Sequence, residues 1–209
     1  MKGVGDKLRG RRKATRALTL KTNNKFLPKS KRSQVWVETV IYTLIALTVI
    51  GLFISFAKPK IEEIQDKAIV EQSVAMLEDI GGIVSSIVQG GAGNQRVVDI
   101  GIKKGELRID GSQDMVIFVL EGKYTYTQPG ENGEEGDYIN IGNILASTQK
   151  RGKTSVVTLV SNYSGKYNLQ FENKNEVKIV TKAPTKYGLV FANKGEDINN
   201  KTIIDIKIK

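Results

Sequence analysis

The chain has 209 residues, 40% of them apolar, which is enough for one sizeable hydrophobic core. It contains no His and no Cys, which excludes Ser-His-Asp and Cys-His catalysis, zinc sites built on those residues, iron–sulfur clusters and disulfides. We therefore predict no enzyme of a common hydrolytic or redox type, no metal site and no cofactor.

The positive charge of the chain is concentrated at its N-terminus. Residues 1–33 hold 12 of the 32 Lys and Arg and 1 of the 22 Asp and Glu, a net charge of +11, and the remainder carries −1. A segment with so few apolar residues builds no core of its own, so this charge does not form the folded basic face of a nucleic-acid-binding domain. We predict no nucleic-acid partner. The segment either binds anionic membrane lipid or only sets the orientation of the chain in a membrane.

An apolar segment comes directly after the basic one. Thr39 to Ala57 are 19 residues without a charge, close to the ~20 that a helix needs to cross a hydrocarbon core. Because the bases precede this span, the positive-inside rule predicts a cytoplasmic N-terminus and an extracellular domain beyond residue 58. The run is too long for a secretory signal, and the sequence Phe-Ala-Lys-Pro-Lys that ends it lacks the small-residue cleavage motif.

Glu38 stands next to this apolar segment. An ionised carboxylate inside an apolar helix is costly unless it is paired or reaches the interface, so such a residue is a candidate functional site. Two interpretations are open at this point. Glu38 either lies at the level of the lipid head groups beside Trp36, at little cost, or it meets a partner.

Residues 29–57 carry a resemblance to a known signal. Lys31, Arg32 and Ser33 are followed by Gln34, by a Glu at the fifth position counted from that Gln, and by the apolar run. This order resembles the class III signal peptide of type IV pilins, and in particular that of archaeal pilin-like proteins, whose leaders end in a basic pair and a small residue before Gln. Two features depart from the pattern: the small residue is Ser rather than Gly or Ala, and a leader of 33 residues is long.

The resemblance implies processing followed by assembly. In this family the prepilin peptidase, a membrane aspartyl protease, cuts on the cytoplasmic side and leaves the apolar helix in the mature protein. Carried over, the processing site is Arg32, Ser33 and Gln34, with the cut between the last two. The new amine of Gln34 in one subunit and the Glu38 carboxylate of a neighbour then compensate each other's charge in a packed array. The implied partners are copies of the chain, the peptidase, and the pilus assembly ATPase with its membrane platform.

The rest of the chain divides by the period of its apolar residues. From Ile61 to Ile80 they recur mostly at three- and four-residue spacing, which predicts an amphipathic helix. The chain thus has five predicted segments: a cleaved basic leader (1–33), a transmembrane and assembly helix (34–57), an amphipathic stalk (58–80) that ends at Gly81-Gly82, a flexible Gly-rich neck (81–95) and a β-rich head (96–209).

The head is predicted from apolar residues that recur at every second position. Nine strand-length runs rich in Val, Ile, Thr and Tyr are separated by turn residues: Arg96–Lys103, Glu106–Asp110, Asp114–Glu121, Lys123–Thr127, Thr154–Ser161, Tyr167–Phe171, Val177–Thr181, Tyr187–Ala192 and Thr202–Ile208. They indicate an antiparallel β-sandwich, immunoglobulin-like in general shape. The predicted fold class is therefore α+β, a long N-terminal helix followed by a sandwich.

Two minor features complete the predicted sites. Asn162 and Asn200 begin Asn-X-Ser/Thr sequons on the extracellular side and are candidates for N-glycosylation. The loop from Gly130 to Asp137 has four acids and no base, but its spacing fits no EF-hand, so we predict a solvated loop.

Two functions fit these observations. The first is a structural subunit of an archaeal type IV pilus-like surface filament for adhesion or attachment, held in the cell membrane before assembly and in the filament afterwards. The alternative is a monomeric, single-pass membrane-anchored β-sandwich adhesin or binding protein that keeps its leader. Cleavage between Ser33 and Gln34 and the role of Glu38 separate the two.

Overall fold

A computed structural model describes residues 31–130 and 133–209, with side chains from Val35 onward. A single long helix, α1, spans Lys31–Gln89 and is followed by ten strands. They are β1 Gln95–Ile100, β2 Glu106–Asp110, β3 Met115–Gly122, β4 Ile139–Ile141, β5 Ile144–Arg151, β6 Thr154–Asn162, β7 Tyr167–Phe171, β8 Val177–Thr181, β9 Tyr187–Glu196 and β10 Thr202–Ile208. The prediction of a long N-terminal helix followed by a β-sandwich head is confirmed.

The strands form two sheets. One has four strands in the order β1-β9-β10-β7, and the other has six in the order β4-β5-β6-β3-β2-β8. All neighbours are antiparallel except β7 and β10, which are parallel. The predicted antiparallel sandwich thus contains one parallel pair.

The last part of α1 belongs to the core of the head. Val70, Leu77, Ile80, Val84 and Ile87 are buried in one cluster with apolar side chains from both sheets. Each differs from the next by three, four or seven residues, so they form one stripe along the helix. The helix is therefore a structural layer of the head, since its apolar stripe closes the core that the two sheets enclose.

The predicted end of the helix at Gly81-Gly82 is wrong. Both glycines lie within α1, which continues to Gln89, so the predicted neck of residues 81–95 shrinks to the turn that leads into β1. A glycine in a helix interior costs about 1 kcal/mol relative to Ala, but Val84 and Ile87 beyond it are buried and offset that cost. The true stop is Gly91, whose φ of 80° is the left-handed conformation that ends helices.

The predicted strand over Lys123–Thr127 is absent, because side chains capture its backbone donors. The Lys123 N–H donates to Asp66 Oδ2 (2.7 Å) and the Thr127 N–H donates to Thr148 Oγ1 (3.0 Å). Conversely, β4 and β5 fall in a stretch for which no strand was predicted. On β5, Ser147 and Thr148 are buried, and their polar character hides the strand from a search for apolar alternation.

Candidate functional site

The predicted processing site lies at the start of α1. Arg32, Ser33 and Gln34 follow Lys31 in the first turn of the helix. Residues 1–30 of the basic leader lie outside the described residues.

The apolar segment of α1 is exposed on all sides. Its large apolar side chains from Val35 to Phe56 are 37–83% exposed. The helix contains an 18-residue window with a mean hydropathy of 2.4, none of it buried, so α1 is long and apolar enough to cross a membrane.

Most polar side chains of the apolar segment are satisfied by their own helix. Four hydroxyl groups each donate to the carbonyl oxygen four residues earlier, at 2.8–2.9 Å: those of Thr39, Thr43, Thr48 and Ser55. These bonds hide the hydroxyls from an apolar environment. The segment therefore presents an almost wholly apolar surface, apart from the row that contains Glu38.

Glu38 has a partner that sequence reasoning missed. The Tyr42 hydroxyl donates to Glu38 Oε1 at 3.3 Å, and both side chains are exposed. Gln34, Glu38 and Tyr42 follow one another at four-residue intervals, so they lie in one row along the helix; we call these three residues the polar row. The four-residue spacing was visible in the sequence and could have identified Tyr42. Within the described side chains, Glu38 Oε2 accepts no hydrogen bond.

The two sequons lie on turns of the head, and both asparagines are exposed. Asn162 ends β6, and its Oδ1 accepts hydrogen bonds from the N–H (2.9 Å) and the Oγ (2.7 Å) of Ser164. Asn200 lies in the β9–β10 turn with a φ of 58°. Each amide is accessible, so both remain candidates for glycosylation.

A buried carboxylate, also missed in the sequence, fixes α1 to the head. Asp66 is 2% exposed; it forms an ion pair with Lys104 and accepts the Lys123 N–H. A Cβ at position 122 would overlap the Asp66 carboxylate, so Gly122 is required for this approach. Asp66 lies four residues before Val70, on the buried stripe of α1. In the sequence, this spacing distinguishes Asp66 from the acids that face solvent.

The C-terminal end of the helix is fixed by a second buried polar residue. Asn193, on β9, is 3% exposed, and its Nδ2 donates to the Ile87 carbonyl oxygen at 3.3 Å. Its Oδ1 accepts the Gly195 N–H at 2.8 Å. One of the last carbonyls of α1, which has no partner inside the helix, is satisfied in this way. Asp66 and Asn193 thus hold the helix to the head at two points about six turns apart.

The chain matches no protein-family model, no curated protein and no solved structure. Residues 35–130 and 133–209 contain no cluster of acidic side chains that could hold a metal ion. The described part of the chain thus combines an exposed apolar segment with the polar row near its start.

Proposed function

We propose that this chain is a structural subunit of an archaeal type IV pilus-like surface filament, cleaved between Ser33 and Gln34 by prepilin peptidase and polymerised through its apolar helix. The observation that carries the proposal is the exposed apolar segment of α1 with one carboxylate, that of Glu38, near its start. Its resemblance to the class III signal peptides of archaeal pilin-like proteins supports the same conclusion.

The exposed apolar surface supports an assembly role. Fully burying one large apolar side chain contributes about 1.5–3 kcal/mol, and the segment exposes more than a dozen such side chains. Lipid satisfies this surface while the subunit waits in the membrane, and neighbouring helices satisfy it in a filament. The same surface therefore suits both states that a pilin passes through.

The polar row supports a specific contact inside that assembly. Cleavage before Gln34 creates an α-amino group one helical turn from Glu38, on the same row. The Tyr42 hydroxyl donates to Oε1 of that carboxylate, and among the described side chains none donates to Oε2, which a donor from another chain could engage. Pairing with the amine of a neighbouring subunit compensates two charges that are costly in an apolar bundle.

The order of charges supports the location. The basic leader precedes the apolar segment, so the N-terminus faces the cytoplasm, where prepilin peptidase cuts, and the head faces the outside. The partners are copies of the same chain, the peptidase, and the assembly ATPase with its membrane platform. Adhesion or surface attachment is the role proposed for the head.

N-terminal sequencing of protein sheared from the surface of cells that co-express an archaeal prepilin peptidase tests this function. We expect a chain that begins at Gln34, together with filaments in electron micrographs. A surface-exposed protein that retains residues 1–33 would contradict the proposal. A cleaved protein that stays in the membrane without forming filaments would contradict the filament role while leaving the processing site standing.

A further inference from the structure

Four loops of the head meet where α1 enters it, and we call them the entry end. Asp66 is the first buried residue after the apolar segment, and it contacts Lys104 and the Lys123 N–H in two of the loops. Each of these two loops is joined to one of the others by a hydrogen bond of 3.2 Å, in which Lys153 and Ile102 supply the carbonyl oxygens. The entry end consists of residues 101–105, 123–127, 151–153 and 182–186.

The charge of the entry end has a single sign. Its loops contain seven bases and no acid, whereas the six connections that lie elsewhere between the described elements contain three bases and four acids. Six of the seven bases are exposed, and within the described residues none of these six forms an ion pair. The six are Lys103, Lys123, Arg151, Lys153, Lys182 and Lys186.

The rest of the chain offers the entry end little opposite charge. Residues 58–67, which lead along α1 to the head, hold three bases and three acids, and residues 1–30 hold ten bases and one acid. The acidic loop before β4 is bonded along the side of β5, where the Gly136 N–H donates to the Thr148 carbonyl oxygen (3.0 Å) and Gln149 Nε2 donates to the Gly133 carbonyl oxygen (2.7 Å). The entry end is therefore a surface that suits an anionic partner.

The position of the entry end identifies that partner. Asp66 lies nine residues beyond Ala57, the last residue of the apolar run, and α1 is continuous between them. At 1.5 Å per residue this distance is about 14 Å, of which lipid head groups occupy about 5–7 Å on each side of a hydrocarbon core. The remaining gap of about 7–9 Å is close to the Debye length of ~8 Å at physiological salt. Anionic head groups therefore attract bases at this distance.

We propose that the entry end docks on anionic lipid head groups of the membrane that holds the apolar segment. Each base near an anionic lipid surface strengthens binding about fivefold, and six exposed bases are available at one end of the head. Docking holds the head against the membrane, and assembly has to release it. The inference goes beyond the proposed function, because it requires that α1 crosses a membrane but not that the chain forms filaments.

Energy transfer between the head and the lipid tests this docking. The natural chain has no Cys, so Thr185→Cys provides a single site for a fluorescent donor in an exposed loop of the entry end. The full-length chain is reconstituted into vesicles of phosphatidylcholine alone or of equal parts phosphatidylcholine and phosphatidylglycerol, with an acceptor on a small share of the head groups. A membrane-impermeant maleimide donor labels only the chains whose head faces outward.

We expect stronger energy transfer in the anionic vesicles than in the neutral ones. The difference should disappear in 1 M salt, where the Debye length falls to about 3 Å.

Two matched triple variants assign the effect to one end of the head. The entry-end variant should lose the difference between the two kinds of vesicle, since the removal of three bases weakens docking about a hundredfold; it carries Lys153→Gln, Lys182→Gln and Lys186→Gln. The control variant removes three exposed bases that lie elsewhere on the head and should keep the difference; it carries Arg96→Gln, Lys166→Gln and Lys174→Gln. All six side chains are exposed, so unchanged circular dichroism is expected for both variants.

Equal energy transfer in neutral and anionic vesicles would overturn this inference and leave the proposed function standing. An equal response of the two triple variants would also overturn it, because the effect would not then belong to the entry end. Transfer that depends on the number of chains per vesicle, and not on lipid charge, would assign the entry end to a contact between copies and overturn the docking. Docking by a chain that forms no filaments would support the inference and contradict the filament alone.

Discussion

The two parts of α1 differ in what happens to their apolar side chains. From Val35 to Phe56 the large apolar side chains are exposed, whereas from Val70 to Ile87 the apolar stripe is buried in the core of the head. The first part is apolar around its whole circumference and the second is amphipathic. A helix of the first kind needs surroundings that are apolar on every side, and a helix of the second kind needs only one partner surface.

The difference explains where polar side chains occur along the helix. In the buried part, Asp66 is fixed by partners from the same chain. In the exposed part, Glu38 has only Tyr42 within the described side chains. Among the described residues, the helix therefore finds its contacts within the same chain at one end and leaves its apolar side chains exposed at the other.

The largest effect is expected from shortening a leucine in the buried part. Leu77→Ala should lower the free energy of unfolding of the head by about 2–5 kcal/mol, because it removes buried methyl groups and leaves a cavity. Leu47→Ala is the matched control on the same helix, since Leu47 is 60% and Leu77 is 1% exposed. Urea unfolding of the detergent-solubilised chain measures both, and equal effects would contradict the division of the helix.

Adding one methyl group at Gly122 should have the next largest effect. Gly122→Ala pushes the Asp66 carboxylate away from Lys104 and the Lys123 N–H, and we expect a loss of about 1–3 kcal/mol. Gly165→Ala is the control, because a Cβ there meets no atom within 4 Å. Combined with Asp66→Ala, the Gly122 change should add little, since both act on one contact. If the stability losses of the two substitutions simply add, Gly122→Ala destabilises the head by a route other than the Asp66 contact.

Removing the Tyr42 hydroxyl should weaken assembly without weakening the head. Tyr42→Phe deletes the hydrogen bond to Glu38, a loss of about 1 kcal/mol, or about fivefold in the assembly equilibrium. Thr43→Val is the control, since that hydroxyl bonds only to the backbone of its own helix. The effect should vanish in a Glu38→Gln background. An undiminished effect there would mean that Tyr42 acts independently of Glu38.

The smallest effect is expected on the stability of the head at low pH. Burial raises the pKa of Asp110, but hydrogen bonds from the Ser112 hydroxyl and from the Gln113 and Ser112 N–H groups outweigh it, so that the pKa lies below its ordinary value of 3.8. The stabilisation is therefore complete above about pH 4 and is lost as the pH falls through the lowered pKa. Asp110→Asn should flatten the fall in stability between pH 4 and pH 2, as followed by circular dichroism. An unchanged slope would show that Asp110 makes no such contribution.

Sequence patterns predicted the elements whose ends are marked by local residues and missed those whose ends depend on distant contacts. β2, β7, β8 and β10 have the predicted bounds, because alternating apolar residues and flanking turn residues define them. The helix beyond Gly81-Gly82 was missed, since its continuation depends on the burial of Val84 and Ile87 against strands far along the chain.

At the candidate site, too, the sequence revealed some residues and missed those that depend on distant contacts. Glu38 was identified in the sequence as a carboxylate beside an apolar run. The resemblance of residues 29–57 to a pilin signal peptide implied its role. Tyr42 and Asp66 were overlooked, although each stands at helical spacing from a residue that had been identified. Helical spacing places side chains on one face but does not reveal which polar groups meet, because Asp66 finds its partners in loops that follow β1 and β3.

Filament yield from the Glu38→Gln chain tests the central claim most directly. The change keeps the shape, removes the charge and leaves the neighbour's amine unpaired, which for a buried pair costs roughly 3–5 kcal/mol. We expect normal cleavage, normal membrane levels and unaltered head unfolding, with at least a tenfold drop in filaments counted by electron microscopy. Glu71→Gln, in an exposed ion pair with Lys67, should leave the filament number unchanged. A normal filament number from the Glu38→Gln chain would contradict the account.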